Sequence, residues 1–205
     1  LRFGYENDPV AVERFRREAR SCAQIQHDHV ITILDSGIHD RQPYYAMPIV
    51  TGESLQKLIR EERVPDIRDL CTGLAGIADA LTELHGKDIV HRDVKPGNIL
   101  IDESGRMLLA DFGLARTAAT ESLTQTNQAI GTPLYMSPEQ ITSQDEVDGR
   151  SDVYGLGVTL YEALAGRTPF EPADMATLVN LKCTVPAPAI AKLAPDATAT
   201  SQRRA

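Results

Sequence analysis

The chain has 205 residues, enough for one good core, and a formal net charge of −8 with a pI near 5.1, which argues against nucleic acid or anionic membrane as a main partner. Cys22, Cys71 and Cys183 are odd in number and widely spaced. That pattern excludes a disulfide framework or a zinc site and suits free thiols in a reducing cytoplasm. No signal peptide, internal repeat or apolar stretch long enough to span a bilayer is found.

In chain order, residues 12–20 predict a helix, with Val12, Phe15, Ala19 and Cys22 at helical spacing. Arg14, Arg16, Arg17 and Arg20 then form a solvated face. His27-Asp28-His29 is a loop between helix and strand, with too few ligands nearby to be a metal site. Ile31–Leu34 and Tyr44–Met47 predict strands, split by a turn around Gly37 and Asp40. Leu70, Leu74, Ile77, Ala78, Leu81 and Leu84 mark a long amphipathic helix that ends at Gly86, a C-cap. Pro96-Gly97 breaks any regular element, so Asp93 and Lys95 lie in a loop. Two short strands follow, Ile99–Ile101 and Met107–Ala110, with a turn at Glu103-Ser104-Gly105 that brings Asn98 and Asp111 together. Ser151–Ala165 is apolar almost all round, which predicts a helix buried in the centre of its lobe. Its acidic residue Asp152 needs partners there. Phe170 and the segment from Met175 to Leu181 mark the start of another helix, and Thr184 to Ala205 is a Pro/Ala/Thr-rich tail expected to be poorly ordered.

The chemistry concentrates in His91-Arg92-Asp93-Val94-Lys95-Pro96-Gly97-Asn98, followed by Asp111-Phe112-Gly113. Asp93 alone would read as a turn aspartate beside Pro and Gly. With Lys95, Asn98 and Asp111 it becomes a base beside a cation and two oxygen ligands, the set that phosphoryl transfer needs. A carboxylate and an amide oxygen at this separation suit Mg²⁺, which binds few protein oxygens alongside substrate phosphates.

The order H-R-D-x-K-x-x-N, D-F-G and then Gly131-Thr132-Pro133-Leu134-Tyr135-Met136-Ser137-Pro138-Glu139 resembles that of eukaryotic-like serine/threonine protein kinases. Ser122-Leu123-Thr124-Gln125-Thr126 and Ser137-Pro138-Glu139-Gln140 look like the activation segment of the bacterial receptor-type branch. The resemblance implies an α+β, protein-kinase-like bilobal fold, here truncated to a partial N-lobe (regulatory helix and following strands) plus most of the mainly helical C-lobe. By the same resemblance Asp93 is the catalytic base, Lys95 steadies the γ-phosphate, Thr132 bridges the two, and Asn98 and Asp111 hold the metal. Met47 falls at the gatekeeper and Pro48-Ile49-Val50 at the hinge, so Met47, Ile49 and Val50 join Lys95, Asn98 and Asp111 as ATP-binding candidates. Pro48 removes one backbone donor from that hinge. Glu18 is the carboxylate that pairs with an ATP-contacting lysine. Asp152 takes backbone N–H groups of the catalytic loop, and Glu139, whose family partner is an arginine in later helices, is expected to have no partner. Thr124 and Thr126 are the expected phosphorylation sites, with Arg92 as the pairing guanidinium.

Residues 1–183 therefore read as a partial kinase domain, 1–47 a remnant of the N-lobe and 48–183 the hinge and C-lobe, with 184–205 a tail. No G-x-G-x-x-G loop or V-A-I-K lysine precedes the regulatory helix. Family spacing puts that lysine just upstream of Leu1, and the chain reads as part of a longer reading frame. The expected cofactors are ATP and Mg²⁺. The expected partners are proteins presenting Ser or Thr, and a second copy for autophosphorylation in trans. The expected location is the cytoplasm, with a membrane anchor outside this chain left open. A small-molecule phosphotransferase lacks the long segment from Leu114 to Glu139. A pseudokinase scaffold is disfavoured by the intact Asp93, Lys95, Asn98 and Asp111.

Overall fold

Strand and helix patterns alternate through the first half of the chain and helical ones follow, and the computed structural model keeps that order. It describes residues 13, 17, 19, 21–39, 42–111, 132–142, 147–172 and 174–190. Glu13, Arg17, Ala19, Ser21 and Cys22 are helical, and the elements after them are β1 (Asp35–His39), β2 (Gln42–Ala46), β3 (Gly52–Ser54), α1 (Leu55–Arg60), α2 (Ile67–His85), β4 (Ile99–Asp102), β5 (Met107–Leu109), α3 (Pro138–Thr142), α4 (Gly149–Ala165) and α5 (Met175–Thr184). The expected α+β fold is thus borne out, with two small sheets whose last strand ends at Leu109 and the 19-residue helix α2 lying between β3 and β4. Val12, Phe15, Glu18 and the stretch 112–131 lie outside the described residues.

β1 falls later than the sequence predicts, and β2 begins two residues earlier. β1 and β2 form an antiparallel hairpin from Asp35↔Ala46 to His39↔Gln42. The predicted strand Ile31–Leu34 instead runs extended between two partners. Ile31 N–H donates to Leu109 O at 3.0 Å and Leu34 N–H to Ala46 O at 2.8 Å, so neither end forms a continuous ladder. Gly37 is a strand residue and not a turn. It faces Tyr44, whose ring fills the space a Cβ would need, with Cε1 2.9 Å away. Asp40 lies outside the described residues.

β3, β4 and β5 form a second antiparallel sheet in that order, and Val30 adds a parallel bridge to Leu109. The turn between β4 and β5 sits where expected, with Gly105 at φ +85. α2 starts on Asp66, whose carboxylate accepts from Arg68 N–H and Asp69 N–H at 2.9 Å each, satisfying two of the orphan donors at a helix start. Gly86 closes it in right-handed geometry, and the left-handed residue of this ending is Asp88 at φ +58.

Leu70, Leu74, Ile77, Leu81 and Leu84 on α2 are buried in one core with Leu55, Val94, Ile99, Met107 and Leu109. α4 packs on α2 but is not buried all round, since Val153 is 62% exposed. Its buried face carries Ser151, Asp152, Gly155, Val158, Thr159 and Tyr161, so small and polar residues, not an all-apolar surface, decide its orientation.

Two glycines give opposite expectations. A Cβ on Gly52 would collide with the backbone oxygen of Ile101, so Gly52→Ala forces β3 away from β4 and should cost roughly 1–3 kcal/mol. Gly157 lies on α4 with open space where a methyl group would sit, and Gly157→Ala should gain about 1 kcal/mol from helix propensity. Urea unfolding midpoints of the two variants check both signs.

Candidate active site

The loop between α2 and β4 is anchored by a carboxylate from α4. Asp152, 1% exposed, accepts His91 N–H at Oδ2 (2.8 Å) and Arg92 N–H at Oδ1 (2.7 Å). His85 Nε2, from the last turn of α2, lies 2.8 Å from the same Oδ2. Paired with these donors, a buried carboxylate avoids the desolvation penalty that it would carry alone. Arg92 takes φ +65, a conformation costly for a non-glycine residue, and the Asp152 contact holds it there.

His91 is fully buried and links the loop to β5. Its Nδ1 accepts Asp93 N–H at 3.3 Å, which leaves Nε2 to donate to Ala110 O at 3.2 Å. Burial pushes its pKa below the usual imidazole value, against smaller opposing pulls from Asp152, Asp93, the Ala110 carbonyl and Asp111.

Four of the sequence-predicted residues meet here. Asp93 Oδ2 accepts from Lys95 Nζ at 2.7 Å and from Asn98 Nδ2 at 2.9 Å, and the same Nδ2 reaches Asp93 O at 2.8 Å. Ala110 N–H donates to Asn98 O at 2.8 Å, which sets Asp111 beside Asn98 as the strand spacing predicts. Asp111, at φ +54, accepts the Tyr45 hydroxyl at Oδ1 (2.7 Å). Burial first, then this hydrogen bond, pushes the Tyr45 phenol far above its ordinary pKa. Sequence reading missed Tyr45, and its place two residues before Met47 on β2 gave no signal of the contact. With both Asn98 Nδ2 bonds made to Asp93, the amide oxygen is left as an acceptor, and Asp111 keeps a second carboxylate oxygen. Such a pair of hard oxygen donors can hold a divalent cation of the Mg²⁺ kind.

Met47, Ile49 and Val50 make no side-chain hydrogen bond to this cluster. Ile49 is 97% exposed, and Val50 packs against Ile31, Leu108 and Ala110. Ile49 and Val50 line an open groove of about 600 Å³ with Pro48, Thr51, Ile31 and Leu108, and the groove shares no lining residue with the Asp93 cluster. Glu18, Thr124 and Thr126 fall outside the described residues, and Thr132 opens a short 3₁₀ turn, Thr132–Leu134. Arg92 Nε is buried without a hydrogen-bond partner among the described residues.

The segment after that turn is stitched to the 91–98 loop. Gln140 Nε2 donates to Arg92 O at 3.0 Å, and Gln140 Oε1 accepts Ser137 N–H at 2.9 Å. Tyr135 donates its hydroxyl to Glu162 Oε2 at 2.7 Å, and burial raises the pKa of both groups. Glu139 corrects an expectation: it does have a partner, the Ser151 hydroxyl, which donates to Oε1 at 2.6 Å. Burial pushes its carboxyl up, but the hydrogen bond from Ser151 and weaker ones beside it outweigh that and leave it below the ordinary value. The partner comes from α4, one residue before Asp152, so no later helix is needed to supply it.

The sequence matches the family described as "Protein kinase domain" over residues 5–202. Among characterised relatives, it is 37% identical to the serine/threonine-protein kinase PrkC of Bacillus subtilis, over 89% of this chain and 28% of that protein. It is 40% identical to the serine/threonine-protein kinase PknL of Mycobacterium tuberculosis, over 81% of this chain and 41% of that one. The chain thus spans well under half the length of either relative. Among solved structures, the PknI kinase domain of M. tuberculosis superimposes with a TM-score of 0.74 at 28% identity, covering 96% of this chain and 69% of that one.

Two measurements test the geometry. Asp152→Asn puts an amide donor against backbone donors and should destabilise by about 3–5 kcal/mol in urea titrations, as breaking a buried charged contact does. Because the folded-state pKa of His91 lies below 6.5, the unfolded chain takes the proton more readily. Stability from this group is therefore fully present above pH 6.5 and lost as pH falls toward the folded-state value. Unfolding of wild type and His91→Phe at pH 7.5 and 5.5 should show the steeper loss in wild type.

Proposed function

This chain belongs to the protein kinase domain family, and from that premise we propose that the protein transfers the γ-phosphate of ATP to serine or threonine hydroxyls of protein substrates. One observation carries the proposal. Lys95 and Asn98 donate to the same oxygen of Asp93, and Asn98 also pairs through its backbone with the strand end that presents Asp111. A base, a cation and two oxygen ligands therefore share one small volume.

In this proposal Asp93 accepts the proton of the acceptor hydroxyl as the oxygen attacks, and Lys95, held beside it, bears on the γ-phosphate oxygens. Thr132 bridges Asp93 and Lys95. Asn98 and Asp111 hold Mg²⁺, which when bound neutralises charge on the phosphate oxygens. Tyr45 orients the Asp111 carboxylate. Met47, Ile49 and Val50 contribute to the adenine side, and Glu18 to the placement of an ATP-contacting lysine. Asp152 and Glu139 organise the loop and the 132–142 segment without touching reactants. We keep the division into 1–47, 48–183 and the tail 184–205 as part of the same proposal.

Activation by phosphorylation fits the same scheme. A phosphate on Thr124 or Thr126, added by a second copy of the protein, would pair with the Arg92 guanidinium, whose Nε has no partner among the described residues. Among the described residues no helix is long and apolar enough to cross a membrane. We place this segment in the cytoplasm, where ATP and the free thiols of Cys71 and Cys183 are at home. A scaffold without catalysis and a small-molecule phosphotransferase are not favoured, because the relatives it matches are named serine/threonine-protein kinases.

The decisive experiment uses the protein expressed from its complete reading frame, given Mg²⁺-ATP and a generic Ser/Thr-rich protein acceptor. Wild type should yield phosphoserine or phosphothreonine, and Asp93→Asn should lower kcat by about 10² to 10⁴. Absence of transfer by wild type, or an unchanged kcat in the variant, refutes the assignment. Mass-spectrometric mapping after autophosphorylation should find phosphate on Thr124 or Thr126.

A further inference from the structure

α5 sends a lysine into the interior. Lys182 is 9% exposed, and its ammonium donates to the backbone carbonyls of Leu134, at 2.9 Å, and Met136. The Tyr154 ring of α4 lies alongside it, 5.0 Å from Nζ to the centroid. No carboxylate of the described residues lies within ion-pair distance of Nζ. Burial alone pushes its pKa down to about 8. An ammonium taken out of water without a counter-ion is expensive, and a methionine would fill the same space without that penalty. What the charge supplies here is donors for two carbonyls, on residues 134 and 136, that belong to no helix or sheet ladder long enough to satisfy them.

The position of those carbonyls gives the arrangement its meaning. Tyr135 and Met136 share a small pocket with Arg92, Asp93 and Val94, so the segment that Lys182 grips forms a wall beside the candidate base. Tyr135, between the two gripped residues, is tied to α4 through Glu162, and Gln140 ties the following turn to Arg92. Lys182 ties the segment to α5. An incoming polypeptide must present its hydroxyl to Asp93 along such a wall, whereas a nucleotide bound by Lys95, Asn98 and Asp111 has no need of it.

We propose that Lys182 is a positioning residue for the protein substrate, fixing the 134–137 wall beside Asp93 from below. The proposal rests on the kinase function above. Loss of the lysine frees the two carbonyls and loosens the wall, so the acceptor polypeptide binds less well while nucleotide binding is untouched.

The test compares wild type with Lys182→Met and Lys182→Gln, and uses Lys87→Met on the surface as a control, all in the protein from its complete reading frame. Lys182→Met should raise KM for the protein acceptor roughly tenfold while KM for ATP stays within about twofold. Lys182→Gln, which keeps a neutral donor, should fall between that variant and wild type. Amide hydrogen exchange should speed up at residues 134–140 in both Lys182 variants and stay unchanged along α2. This second readout needs no turnover: a wild type that transfers no phosphate would refute the kinase assignment, and exchange would still decide whether Lys182 holds the wall. Equal shifts in both KM values, no shift in either, or unaltered exchange at 134–140 in whichever variant folds would overturn the proposal.

Discussion

A carboxylate with almost no access to solvent can survive only where fixed donors surround it, and Asp152 meets that condition with two consecutive backbone N–H groups and an imidazole. Its three donors come from α2 and from the loop that α2 feeds, so one side chain of α4 sets the loop's height, direction and left-handed step at Arg92. The close approach this needs is prepared by glycines on the same helix. A Cβ on Gly155 would lie 2.8 Å from Val94 O, and one on Gly149 would meet the His85 ring at 2.5 Å. α4 therefore meets the loop through backbone and a single charged group, and the modest apolar content of its buried face follows from that duty.

From that anchor the polar contacts run outward as a chain. His91 passes the constraint to Ala110, Asn98 pairs with the same residue from the other side, and Asp111 is reached next. Tyr45 then connects Asp111 to β2, so the candidate metal ligand is held from the hairpin as well as from the sheet. Each link is a hydrogen bond worth about 1 kcal/mol net in isolation, but breaking one leaves a buried polar group unpaired, which costs more.

The sequence made the site legible wherever residue type and spacing carried the chemistry. Asp93, Lys95, Asn98 and Asp111 come together because a Pro-Gly break and a two-strand turn leave the backbone little choice. Strand boundaries were less legible: Ile31 and Ile33 alternate as a strand should, yet the backbone partners of that segment lie on two different strands, which no local pattern reveals. Gly37 read as a turn because the facing Tyr44 ring is a tertiary fact. Tyr45 and Lys182 escaped notice because one is a phenol among strand residues and the other a lysine on a helix. Burial, and not identity, makes each of them matter. Glu139 was misjudged because an expectation built on distant helices ignored a serine one residue before Asp152.

The contacts of Asp152 also join residues far apart along the chain. His91 lies 61 positions before its acceptor, and His85 lies 67 before it. On a ribosome the loop carrying Asp93 therefore leaves the exit tunnel seconds before the carboxylate that shapes it exists, since synthesis adds about 5–20 residues per second. α2 and the β4–β5 hairpin are local structures able to form in that interval, but the His91 and Arg92 N–H groups have no Asp152 acceptor until α4 closes the long loop. Anchoring of the candidate site is thus a late event of biogenesis, and a nascent chain stalled before residue 152 would carry Asp93, Lys95 and Asn98 without the carboxylate that fixes their loop.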